Sequence, residues 1–208
     1  PLAWDKVDAD TWRVWPGGAG EVTVRFTYVA DTLDNAMAWA TSDFAFFNGT
    51  NVFLYPEGRP KDLAATVTVR TQPSWQVATG LRSAGAPNTY REASYHDLVD
   101  APVFVGRFDL DSATVEGRTM RLATYPRGAL AGERRRRFWD DQRRTWPAMT
   151  AVFGDLPIER YTTLLVVDST LGGGSALEHR DSHLGIYGAG LLDDVGFPSI
   201  TAHEILHL

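Results

Sequence analysis

A change of hydrophobic period near residue 130 restricts this chain's fold more than any other feature. Before it, Glu21–Tyr28, Ala65–Arg70, Val103–Phe108 and Thr119–Tyr125 alternate polar and apolar residues with period two, broken by Gly, Pro and Asn. Such spacing puts every second side chain on one face of an extended chain, so each segment reads as a half-buried antiparallel strand. After it, Trp139, Gln142, Trp146, Met149 and Phe153 recur at three- and four-residue steps, the spacing of one face of a helix. The expectation is an α+β protein, with an N-terminal antiparallel β-sandwich over residues 1–129 and a second domain over 130–208.

Local signals refine this outline. Asn48-Gly49, between aromatic and branched residues, predicts a tight turn, and the turn also explains the glycosylation-like sequence Asn48-Gly49-Thr50. Ser94 is placed to cap one helical turn through Asp100; His96 and Asp97 are adjacent, point in different directions, and read as structural or surface groups. Pro147 is expected to kink the helix that begins near Glu133, or to start a second segment capped by Thr145. Arg134 to Arg137 read as a solvated helix face, with Asp140 and Asp141 interleaved. Tyr161–Asp168 reads as a buried strand, Gly172–Gly174 as a loop, and the polar stretch Ser175–His183, with a charged pair just ahead of the last helix, as a candidate substrate edge.

The chemistry is carried by His203-Glu204-Ile205-Leu206-His207. Two imidazoles four residues apart share a helix face and can aim at one point, a geometry suited to Zn2+. Glu204 stands beside that face, where its carboxylate can take a proton from a water activated there. With 5 histidines and 8 glutamates in 208 residues, the pattern arises by chance in only about half a per cent of such chains. Pro198 in the first turn, with Ser199 and Thr201 beside it, supports the helix start. The bland alternative is a buried helix whose histidines are satisfied by backbone or carboxylate groups.

Composition removes several classes of function. A net charge of −6 lacks the basic surface that phosphate neutralisation needs, so no nucleic-acid partner is expected. No apolar run approaches the ~20 residues of a membrane span. With no cysteine, thiolate zinc sites and cysteine catalysis are excluded.

Several motifs in order resemble the glycyl aminopeptidase family of zinc metallopeptidases. They are Trp12-Arg13-Val14, Asn48-Gly49 with Phe53–Gly58, Ser94–Pro102, Phe153–Pro157, Leu177-Glu178-His179 and the His-Glu-x-x-His helix. The resemblance implies an all-β domain followed by the beginning of a thermolysin-like catalytic domain. It assigns zinc binding to His203 and His207 and general-base catalysis to Glu204. It places the free α-amine of a peptide substrate at Glu178, with Ala176 on the same strand; Ser175 and Ala176 stand where the family carries two glycines. His179 and His183 precede the helix, on a strand the resemblance assigns to substrate. Similar enzymes take a third zinc ligand from a later helix, so the chain reads as an internal piece of a longer enzyme. It is then expected to be inactive alone and to partner the remainder of that enzyme. The activity implied is removal of N-terminal glycine or alanine; an endopeptidase on the same scaffold and a non-catalytic β-sandwich module with a vestigial zinc helix are the alternatives.

Overall fold

The computed structural model describes residues 1–154 and 156–207; Asp155 of the Phe153–Pro157 motif and Leu208 lie outside the described residues. In chain order the elements are β1 (Ala3–Lys6), β2 (Trp12–Trp15), β3 (Ala38–Ala40), β4 (Phe44–Phe47), α1 (Gly49–Val52), β5 (Ala65–Thr68), β6 (Gln76–Thr79), β7 (Thr89–Glu92), α2 (Tyr95–Val99) and β8 (Val103–Gly106). There follow β9 (Asp109–Val115), β10 (Arg118–Tyr125), α3 (Glu133–Phe153), β11 (Arg160–Asp168), β12 (Gly174–His179), β13 (Ser182–Gly188) and α4 (Phe197–Leu206). The fold class is α+β, as the change of period predicts.

Four layers stack through three apolar cores. The antiparallel sheet β3-β4-β8-β6 lies in the interior, because its strands are apolar on both faces. Phe44, Phe46, Ala78 and Phe104 point one way, towards Ala123, Leu164, Val166, Leu184 and Ile186 of the five-stranded sheet β12-β13-β11-β10-β9. Val77, Val103 and Val105 point the other way, towards Val67 and Tyr90 of the small sheet β5-β7 and Leu98 of α2. The far face of the five-stranded sheet is closed by helices: Trp139, Trp146 and Met149 of α3 and Phe197 and Ile205 of α4 meet Leu122, Tyr161, Leu165 and Tyr187. Full burial of each large side chain contributes roughly 1.5–3 kcal/mol, so these interfaces hold the layers together.

The five-stranded sheet is mixed. β10, β11 and β13 run parallel, while β9 and β12 close its edges antiparallel. Sheet membership therefore changes between Gly106 and Asp109, ahead of the boundary expected near residue 130. The alternation of β10 resembles that of the earlier strands, but its partner β11 comes from beyond α3. Period two identifies a strand without identifying its neighbour.

Two local expectations are corrected, and one of two alternatives at Pro147 is set aside. Residues 21–29 form no strand: Val22, Val24 and Phe26 are 41%, 54% and 53% exposed, and the segment meets the sheet only at its end, where Ala40 N–H donates to Ala30 O at 2.9 Å. Alternation provides an apolar face, but a strand also needs a neighbouring ladder, and none lies beside this segment among the described residues. Asn48-Gly49 makes no two-residue turn either. Asn48 is extended (φ −85°, ψ 141°) and Gly49 opens the single turn of α1, where a β-carbon would sit 2.7 Å from Val99 Cα. The glycine answers to the close approach of α2. Finally, of the two alternatives at Pro147 the second segment does not occur: α3 runs from Glu133 to Phe153 through Pro147 as one helix. A proline inside a helix costs about 3 kcal/mol, but burial of Phe138, Trp139, Trp146 and Met149 on either side of it outweighs that loss. The buried Trp146 Nε1–H finds its acceptor one turn back, at Gln142 Oε1, 3.0 Å away. Phe153, placed by its spacing on the same stripe, is 64% exposed.

The arginines of α3 are solvated and paired. Arg134 and Arg137 both hold Asp193, Arg135 lies 3.2 Å from Asp109, and Arg136 holds Glu133. Ser94 caps α2 as expected, accepting from Asp97 N–H at 3.0 Å.

Candidate metallopeptidase site

The site lies where α4 crosses the edge of the five-stranded sheet. Strand β12 is that edge, with β13 as its one neighbour, in a register that sets Ala176 opposite Gly185 and Glu178 opposite His183. Because side chains alternate, Ala176 and Glu178 share the helix-bearing face with His183 and Tyr187. Ala176 packs against the core that includes Ile205 and Tyr187, while Glu178 is exposed. Gly185 is needed here, since a β-carbon on it would fall 2.2 Å from the Tyr187 ring.

Helix α4 begins at Phe197 with Pro198 in its first turn. Phe197, Thr201, Glu204 and Ile205 form its buried side, and the Thr201 hydroxyl donates to Phe197 O at 3.2 Å. His203 and His207 lie on its exposed side. Their Nε2 atoms approach to 3.1 Å. Two nitrogens on one tetrahedral zinc stand about 3.3 Å apart for bonds of ~2.0–2.1 Å, so the separation of this hydrogen-bonded pair is close to that of two zinc ligands. Among the described residues no group of three His, Cys, Asp or Glu side chains surrounds a common point. The pair brings two nitrogens together on one helix face with no third such donor beside them among the described residues.

Glu204 is 7% exposed. Burial raises its carboxyl above the usual carboxylate range; His203 and His207 oppose that shift, and the charge of Glu178 adds to it. Below Glu204, the Tyr161 hydroxyl lies 3.4 Å from Glu204 O and 3.1 Å from His183 Nδ1. With His183 Nδ1–H donating to Tyr161 and Tyr161 donating to the Glu204 carbonyl, both of these protons have acceptors, while His183 Nε2 and the buried Tyr187 hydroxyl make no hydrogen bond. This chain ties β13, β11 and α4 together under the site. Burial pushes the Tyr161 phenol well up and holds His183 down at about 3, so both stay neutral at physiological pH.

His179 and His183 do not join the histidine pair. His183 is fully buried against Tyr161, and His179 lies on the opposite face of β12 with Nε2 3.0 Å from Asn48 Oδ1 and Nδ1 3.2 Å from Leu177 O. A cavity of about 430 Å³ opens beside His179 between the first layers and β12, lined by Asn48, Thr50, His96, Asp100, Glu178 and His179 among others. Sequence reading missed Asn48, Tyr161 and Arg180 as parts of this region. Only the charged pair Arg180-Asp181 gave a signal there, because a contact across most of the chain leaves no local pattern.

A family model described as the peptidase M61 N-terminal domain matches residues 1–107, ending between β8 and β9 where sheet membership changes. The chain belongs to the peptidase M61 family. Among solved structures, this M61 chain is similar to an aminopeptidase N family protein from Idiomarina loihiensis, with a TM-score of 0.82 at 23% identity over 99% of this chain and 37% of that one. It is also similar to a mutant of the M1 zinc metallopeptidase from Deinococcus radiodurans, with a TM-score of 0.50 at 16% identity over 85% of this chain and 42% of that one. At these identities the likeness is one of fold. The M61 chain spans less than half the length of either protein. No curated protein matches it significantly. Among the described residues, no helix is long and apolar enough to cross a membrane.

Proposed function

We propose that this M61 chain carries part of the active site of a zinc aminopeptidase that removes small N-terminal residues, glycine or alanine, from peptides. The observation that carries the reading is the 3.1 Å approach of His203 and His207 Nε2 on the helix that also bears the desolvated Glu204. His203 and His207 hold the zinc, and a third ligand comes from the remainder of the enzyme, a part of a thermolysin-like domain. When bound, zinc supplies Lewis-acid polarisation of the scissile carbonyl and acidifies water.

The chain's own residues do the rest. Glu204 accepts the proton of the attacking water as the C–O bond forms, and returns it to the departing amine nitrogen as the C–N bond breaks. Burial, which raises its carboxyl above the ordinary value, makes it a better proton acceptor than an exposed carboxylate. Glu178, exposed at the sheet edge, receives the substrate's α-ammonium in charge-assisted hydrogen bonds. The small Ala176 leaves the peptide room to approach the backbone of β12. The His183–Tyr161–Glu204 chain keeps α4 seated on the sheet.

The test compares the complete zinc-loaded enzyme on alanyl- and glycyl-anilides with their N-acetylated forms. Cleavage confined to free amines supports the aminopeptidase. Equal cleavage of blocked substrates indicates an endopeptidase, and no cleavage of either, with zinc bound, indicates a non-catalytic module.

A further inference from the structure

We propose that Arg180 is a positioning residue for the substrate strand: its hold on carboxylates of the M61 N-terminal domain fixes the end of β12, and with it the carboxylate of Glu178. The inference rests on the reading of Glu178 as the amine-binding group.

Arg180 and Asp181 form the two-residue connection between β12 and β13. An arginine on such a turn ordinarily faces water and contributes little. This one turns away from its own sheet. Its guanidinium pairs with Asp97 and lies 3.6 Å from Glu92 Oε2, and its backbone N–H donates to Asp100 Oδ2 at 3.2 Å. Asp181 lies 3.5 Å from Arg180 Nε and completes the charged surroundings. The three distant acceptors come from β7, from α2 and from the residue that ends α2, all within the span of the N-terminal family match.

Glu92 makes the clasp specific. Its side chain is 1% exposed, and Oε1 accepts the Arg82 backbone N–H at 2.7 Å. A carboxylate removed from water needs a cation. Arg82 is the other candidate, but it lies 3.9 Å from Oε2 and is 57% exposed, against 36% for Arg180. Both guanidiniums thus face the buried carboxylate, with that of the β12–β13 turn the nearer and the less exposed, and Oε2 accepts a hydrogen bond from neither.

The effect on the site follows from distance along the strand. Arg180 is two residues from Glu178, about 7 Å at ~3.3 Å per residue. The intervening His179 is itself bonded to Asn48 of the same domain. On its outer side β12 pairs with no strand among the described residues, so these ties and β13 are what fix it. Releasing Arg180 loosens the end of β12 that presents Glu178 and leaves the helix bearing His203, Glu204 and His207 in place. The consequence is a defect in capturing the amine rather than in the chemical step.

The experiment measures steady-state kinetics of the complete zinc-loaded enzyme on alanyl-anilide for wild type, Arg180→Ala, Arg180→Lys and Glu92→Gln, with amide hydrogen exchange on each. For Arg180→Ala we expect KM to rise about tenfold or more with kcat changed less than about threefold, and exchange to accelerate over residues 175–179 but not in β10 or β11. Glu92→Gln should move in the same direction, and adding it to Arg180→Ala should cost little more. Arg180→Lys, which keeps the charge but loses the fork, should restore part of KM. Unchanged KM and unchanged exchange over 175–179 in Arg180→Ala, with Glu178→Ala impaired, would overturn the inference while leaving the site reading intact. An inactive wild type would overturn the site reading, and the exchange at β12 would then decide the clasp alone. If Arg180→Ala fails to fold, Glu92→Gln and Arg180→Lys carry the same comparison.

Discussion

The imidazole of His179 meets the side-chain amide of Asn48 across 131 residues of sequence, Nε2 to Oδ1 at 3.0 Å. Asn48, 2% exposed, also donates through Nδ2 to Asn35 O, so one amide joins the loop before β3, the start of α1 and the edge strand β12. Both of its polar atoms are used, and neither has water to fall back on.

Replacing Asn48 with alanine leaves the His179 N–H and the Asn35 carbonyl without their partner, and buried polar groups so orphaned cost about 1–3 kcal/mol. Asn48→Ala is therefore expected to lower the unfolding free energy by that amount, read from urea denaturation of wild type and variant. Asn48→Asp keeps the acceptor but loses the donor, and should fall between them at neutral pH only if burial of its new charge is relieved. A midpoint for Asn48→Ala equal to that of wild type would show that the interface does not depend on this bond.

Glu204→Gln should keep zinc affinity within a few-fold, since both histidines remain, and should lower kcat of the complete enzyme by ~10²–10⁴-fold, the usual contribution of a general base. Zinc titration and anilide hydrolysis on the same preparation separate the two effects. Near-wild-type kcat would remove Glu204 from the chemistry.

Glu178→Ala should erode the preference for free over blocked N-termini. A charge-assisted hydrogen bond contributes about 1.5–3 kcal/mol, so kcat/KM on alanyl-anilide is expected to fall roughly 10- to 150-fold while activity on N-acetylalanyl-anilide stays at its basal level. Equal losses on both substrates would point to a structural role for Glu178 instead.

His183 makes stability depend on pH. Its folded pKa, lowered by burial to about 3, lies below the ordinary 6.5, so from pH 6.5 downward the unfolded chain takes up a proton that the native state refuses. Stability present above pH 6.5 is lost as pH falls towards 3, by about 1.4 kcal/mol per pH unit at most. Between pH 7 and pH 5 the unfolding free energy of wild type should therefore fall more steeply than that of His183→Gln, which has no proton to gain. Parallel curves for the two proteins would mean that His183 is solvated in the native state.

The sequence by itself determined what depends on neighbours along the chain. The Ser94 cap, the buried strand at Tyr161–Asp168, the stripe of Trp139, Gln142, Trp146 and Met149, and the pairing of His203 with His207 on one helix face all rest on spacings of two to seven residues, which the backbone geometry of a strand or helix converts directly into shared faces. Only the tertiary structure decided which faces meet. The alternation of residues 21–28 looks like that of β10, but β10 has β9 and β11 beside it and the earlier segment has no ladder among the described residues. Pro147 stays inside a helix because Trp146 and Met149 are buried around it, and Gly49 answers to Val99 rather than to a turn. The site divides the same way. His203, Glu204 and His207 are legible as a motif because one helix turn brings them together, whereas Tyr161 and His183 beneath them, and Asn48 and Arg180 beside them, come from separate layers whose packing no local spacing encodes.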